Sequence, residues 1–173
     1  MDNSTHTLWG LTFVRRLSLF FPVVLFSNLP DILSLPFYIF YLIKDKFPVK
    51  GVTPKEIKQS LHEWVPPIEY MEFYRFFHSI IGLIIMTAVF NVFFPSFTTV
   101  FALCYALHIA VDMLTHGGYW ATRILYPFSD FHLTWTKSYW HDKNTIRFNY
   151  VLLVIININI LILQHYFQMV PFL

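Results

Sequence analysis

At 173 residues, with 56% hydrophobic and 13% charged residues and a mean hydropathy of +0.53, the chain carries about half the charge usual in a water-soluble domain. Aromatic residues make up 20%, with 20 Phe among them, more apolar bulk than so short a soluble fold could cover. The net charge of +2 offers nothing to a nucleic acid, and the single cysteine, Cys104, rules out an internal disulfide or a CxxC metal site. These values predict an all-α, polytopic membrane protein with about four to five membrane helices, some broken or re-entrant, in a single integral membrane domain over 1–173.

The N-terminus has Asp2 and no basic residue ahead of its first apolar run, which argues against a cleavable signal. Leu8 to Val14 is apolar and ends at Arg15-Arg16, Leu17 to Leu29 ends at Pro30-Asp31, and Ile32 to Ile43 follows. Each piece falls short of the roughly 20 residues that span a bilayer. One reading is a single span from Leu17 to Ile43 with Asp31 in its middle. The other is a pair of short helices folding back at Arg15-Arg16, with a third starting at Asp31. Pro22, Pro30 and Pro36 each disturb a continuous helix and favour the second reading. Irregular backbone at membrane depth then needs protein around it.

The polar segment 44–72 holds Lys44, Lys46, Lys50, Lys55 and Lys58 and reads as a solvated loop that also touches anionic lipid. Phe73 to Phe77 extends an apolar run from Ser79 to Phe94, and a second run covers Phe97 to Leu114. Pro95-Ser96 between them predicts a tight antiparallel hairpin. That hairpin puts segment 115–149, with Arg123, Lys137, Lys143 and Arg147, on the same side as 44–72, and the excess of Lys and Arg makes this side cytoplasmic. The last run, Tyr150 to Leu163 extended to Phe167, carries Asn157 and Asn159 on different faces, where they are expected to bond to neighbouring helices. Trp64, Trp120, Trp135 and Trp140 read as interface anchors.

Ionisable residues inside apolar runs are costly and mark function. His108, Asp112 and His116 recur every four residues, so one helix face presents the first two, and His116 as well if the helix lasts to Gly117-Gly118. The hairpin brings His78 to the same end. Asp31 follows the helix-breaking Pro30, and His6 precedes the first apolar run. Imidazole and carboxylate together suit zinc or a similar divalent metal, or a proton relay. His62, His132, His141 and His165 share no such face and read as ordinary polar residues.

Several of these segments carry a family resemblance. The opening, Met1 to Leu11, resembles the start of predicted bacterial membrane-bound metal-dependent hydrolases, the YdjM-like group. Leu29-Pro30-Asp31-Ile32 resembles that family's Leu-Pro-Asp-Ile-Asp motif, His78-Ser79 its His-Ser element, and His108 to Thr115 its His-x-x-x-Asp-x-x-Thr helix; Tyr126 to Ser129 is similar to the segment that follows. The resemblance implies metal ligation by His6, Asp31, His78, His108 and Asp112. It departs from the family pattern at Leu33, which stands for the second acid, and at Phe73 to Phe77, where a first His is missing.

The leading expectation is a membrane-embedded hydrolase of the bacterial inner membrane. Its divalent metal, zinc, would be held by His6, Asp31, His78, His108, Asp112 and His116. Its substrate would be a phosphoester of a lipid or other amphiphile, with Asp31 or Asp112 orienting the attacking water and Arg75 and Arg123 holding phosphate. The alternative is a non-enzymatic membrane protein: a small metal or proton transporter, or a degenerate member with a structural metal site. The near-absence of polar residues along Ile80 to Phe90 disfavours a conduit.

Overall fold

A computed structural model describes residues 3–44, 66–133 and 143–169. It contains seven α-helices, three short 3-10 turns and no strand among the described residues: α1 (Asn3–Val14), α2 (Phe20–Ser27), α3 (Leu29–Lys44), α4 (Ile68–Phe77), α5 (Ile80–Phe93), α6 (Thr98–Thr115) and α7 (Lys143–Met169). The all-α membrane architecture is as the composition predicts. Two stretches, Pro95–Thr115 and Ile146–His165, are long and apolar enough to cross a bilayer alone; the α2–α3 and α4–α5 pairs qualify only as broken spans, bent by 49° and 63°. Among the described residues, length and composition thus allow two spans, or up to four if each bent pair is one span.

The N-terminal third follows the broken-helix reading. α1 stops at Val14, where Arg15 turns the chain with a left-handed φ of 46°, and α2 runs back. The next break is at Asn28, with Pro30 in the first turn of α3, where a missing N–H costs nothing. Pro36 does not break the helix as expected: it lies inside α3, which continues to Lys44. The run Phe73 to Phe94 is likewise not one straight helix. It divides at His78-Ser79, where the Ser79 hydroxyl accepts from the Gly82 N–H at 3.0 Å and caps α5. The sharp bend at this cap turns His78 inward. The Pro95–Phe97 turn joins α5 to α6 as the predicted hairpin.

α6 is the central element, packed by α1, α2 and α5, while α3 lies on α4 and α7 lies on α1. Val23, Phe26, Phe101, Cys104, Tyr105 and Ile109 form the main core, so Cys104 is a packing residue as expected. Trp9, Val111 and Leu153 tie α1, α6 and α7 together. Gly10 lets α1 approach α2 closely: a Cβ there would meet the Ser27 hydroxyl and Val23. Asn157 of α7 donates to the Thr12 hydroxyl of α1 at 3.0 Å, as predicted, whereas Asn159 bonds back to Ile155 of its own helix. Trp120 packs on Tyr70 and Tyr74. Trp64, Trp135 and Trp140, with residues 45–65 and 134–142 of the two loops expected to be cytoplasmic, lie outside the described residues.

A buried histidine and aspartate cluster

The helix breaks place the polar residues. The last carbonyls of α2 need partners from beyond the helix: Asn28 donates to Val24 O and Leu25 O, and Ser27 O lies 2.7 Å from His108 Nδ1 on α6. The bend after α4 brings His78 Nδ1 to 2.8 Å from the Tyr74 carbonyl. A carbonyl oxygen only accepts, so in both rings Nδ1 carries the proton and donates. The neutral form of each ring then presents a bare Nε2 lone pair, and the two Nε2 atoms lie 3.2 Å apart.

Two carboxylates face these lone pairs. Asp31, in the first turn of α3, sets Oδ1 3.3 Å from His78 Nε2 and 3.8 Å from His108 Nε2. Asp112, one turn beyond His108 on α6, sets Oδ2 3.5 Å from His78 Nε2 and 3.1 Å from His108 Nε2. These four residues offer donor atoms within 4.8 Å of one another. With metal–ligand bonds near 2.0–2.2 Å, neighbouring ligands of a tetrahedral zinc stand about 3.3 Å apart. The five separations above, 3.1 to 3.8 Å, bracket that edge. The second nitrogen of each imidazole already donates to a carbonyl, the outer support that metal-binding histidines characteristically have. The donor set therefore fits a divalent metal.

The opposite oxygen of Asp112 is also surrounded. His6 Nε2 lies 3.2 Å and His116 Nδ1 3.1 Å from Oδ1, and the His6 ring stacks on that of His108 at 3.8 Å. The structure brings together all six sequence-predicted residues: four form the compact donor set, and His6 and His116 stand behind it on Asp112. α6 ends at Thr115, so His116 reaches Asp112 from an extended residue just past the helix rather than from its face. The side chains of His6, His78, His108 and Asp112 are at most 1% exposed, but that of Asp31 is 34% exposed, so the cluster opens on the Asp31 side.

Arg75 is buried, one helical turn before His78, and Arg123 pairs with the exposed Asp130. Of the histidines set aside, His132 is half-buried, with Nδ1 against Asp130 O, and His165 is exposed, and neither joins the cluster; His62 and His141 lie outside the described residues. The sequence reasoning missed the carbonyl partners, Ser27 O and Tyr74 O. Only the position of Ser27 at the end of an apolar run ahead of Asn-Leu-Pro hinted at an open helix end. It also missed Tyr74, whose ring stacks on His78 at 4.0 Å.

A family model described as YdjM inner membrane protein matches residues 1–170. No curated protein and no solved structure matches the chain.

Proposed function

The chain belongs to the YdjM inner membrane protein family, and from that premise we propose that it is a metal-dependent hydrolase acting on a phosphoester of a lipid or other amphiphile. The supporting observation is the pair of carbonyl-locked imidazoles whose bare Nε2 atoms converge on two carboxylates within a buried cluster. Lone pairs and carboxylates packed at such distances repel unless a cation lies among them. We assign that cation as zinc, held by Asp31, His78, His108 and Asp112, because imidazole with carboxylate is a zinc donor set.

When bound, a divalent cation supplies Lewis-acid polarisation of a phosphoryl oxygen and an acidified water. The chain does the rest. Ser27 O and Tyr74 O fix the imidazole orientations. His6 and His116 hold the far oxygen of Asp112, which keeps Oδ2 directed at His78 and His108. Asp31, whose Oδ1 faces the imidazoles and whose side chain is the part of the cluster open to the outside, would accept a proton from an attacking water on its other oxygen. Arg75 and Arg123 are assigned to phosphate, with Arg123 having to exchange Asp130 for substrate.

A second reading has one observation in its favour: the cluster draws on α1, α2, α3, the α4–α5 bend and α6, so a metal here would also staple the fold. The two readings separate on Asp31→Asn. In lipid bilayers containing anionic phospholipid, zinc-loaded protein should release phosphorylated headgroup or phosphate, and Asp31→Asn should stop release while the protein stays folded. If wild-type protein with measured zinc hydrolyses no phosphoester lipid, and Asp31→Asn only lowers thermal stability, the staple reading stands and the hydrolase is wrong.

A further inference from the structure

The turn between α1 and α2 holds a second unusual polar group. Arg15 lies nine residues beyond His6, about 13 Å farther along the axis of α1, away from the metal cluster. Its backbone is in the left-handed region, at φ 46°, which a non-glycine residue adopts only when its surroundings impose it. The side chain shows what imposes it. Nε donates to Thr12 O at 2.9 Å, one Nη donates to Gln164 Oε1 at 3.2 Å, and the other to Asn157 Oδ1 at 2.8 Å. The acceptors are themselves oriented: the Asn157 amide nitrogen is committed to Thr12 Oγ1 at 3.0 Å and Leu153 O at 2.8 Å, so its oxygen must face the guanidinium.

Every one of these acceptors is neutral, and no carboxylate pairs with Arg15 among the described residues. A guanidinium has five N–H donors. Three are used, which leaves two on an exposed side chain whose charge nothing described neutralises. A groove of about 560 Å³ runs beside it, lined by Leu8, Leu11, Thr12, Arg15, Leu161 and the two amide residues. One end of the groove is therefore cationic and hydrogen-bonding, and its wall is leucine. On a membrane protein such a groove faces acyl chains, and the complement of a cationic head on a leucine wall is an anionic phosphate carried on a hydrocarbon chain.

We propose that the Arg15 groove is a specific phospholipid site, with the lipid phosphate on the two remaining guanidinium N–H groups and an acyl chain along Leu8, Leu11 and Leu161. Arginine rather than lysine suits the task because its planar fork can hold α7 and the phosphate at once. The site is at the end of α1 remote from the histidine cluster and does not depend on the metal or on hydrolysis.

The test is native mass spectrometry of protein purified in mild detergent from membranes of known phospholipid composition. Wild-type chain should retain one phospholipid, and Asp112→Ala should retain it equally. Arg15→Gln should lower retention about tenfold, the effect of losing one charge-assisted contact, and Arg15→Lys should fall between. Should Arg15→Gln not fold, as judged by loss of helical circular dichroism, Leu161→Trp provides the second variant: it leaves the guanidinium in place, fills the groove and should also expel the lipid. Added inorganic phosphate should leave the lipid bound. Three results each overturn the proposal: no lipid on wild type, equal retention by Arg15→Gln or Leu161→Trp (which means ordinary boundary lipid), or displacement by inorganic phosphate alone, which means a free-anion site.

Discussion

Asp112 is the residue on which the cluster turns, because each of its oxygens faces two imidazoles. Replacing it or His108 with alanine removes a ligand and leaves buried partners uncompensated. Either variant should lose most of its zinc in elemental analysis, while His132→Ala and His165→Ala should keep it. The roles of His6 and His116 are separable by degree. If they act by holding Asp112 from behind, His6→Ala or His116→Ala should weaken metal binding by about 10–100-fold, measured by chelator competition, rather than abolish it. Loss as complete as that of His108→Ala would make them ligands in their own right. At this scale the sequence was informative about side chains and silent about their orientation. The i, i+4 spacing of His108 and Asp112 and the motif positions of Asp31 and His78 were legible. That a carbonyl of α2 would choose the tautomer of His108 was not, because a backbone carbonyl has no signature in the amino-acid code.

Among the elements, the break between α4 and α5 matters most to the site. Its geometry depends on two small residues. Ser79 caps α5 and also donates to Phe76 O at 2.8 Å, and Gly82 sits where a Cβ would run into the Phe76 carbonyl. Backbone cannot move aside as a side chain can, so Gly82→Ala should force the two helices apart and shift His78. We expect it to lower zinc content even though residue 82 touches no ligand. Ser79→Ala should cost about 1 kcal/mol of stability through the lost cap and disturb the metal less. Thermal unfolding and elemental analysis on the same samples check both. The helix pattern itself was largely legible: run lengths gave α6 and α7, Pro95-Ser96 gave the hairpin, and Arg15-Arg16 gave the first turn. The 63° bend was not, since Phe73 to Phe94 reads as one apolar run and the polarity of His78-Ser79 alone does not indicate an angle.

For the whole molecule, the cluster is a point where the N-terminal helices, the α4–α5 bend and α6 meet. A ligand that binds only the folded state stabilises it by mass action. Stripping metal with a chelator should therefore lower the apparent melting temperature of wild-type protein, and readdition of zinc should restore it. Asp112→Ala should show neither response. Orientation has its own check. Single cysteines at Lys50 and Lys137, in a Cys104→Ser background, should resist an impermeant thiol reagent in intact cells and react in inverted vesicles if the Lys- and Arg-rich side faces the cytoplasm. Labelling of both in intact cells would reverse the topology.

The shortness of α1 and α2 has a consequence for how the chain is made. At 12 and 8 residues, neither matches the roughly 20 that a bilayer accepts as an independent span. Both emerge from the ribosome well before α6, against which they pack and whose His108 donates to Ser27 O. During synthesis α2 can enter the bilayer only together with α3, as a broken span, and α1 has no span of its own. α1 is therefore expected to wait at the membrane surface or under the insertion machinery until about residue 115 has appeared, and then to slide in beside α6. Nascent chains arrested before Phe97 should leave His6 open to modification from the aqueous side, and chains arrested well past His116 should protect it. Biogenesis of this protein would then proceed from the middle outward, with the N-terminus among the last parts to settle.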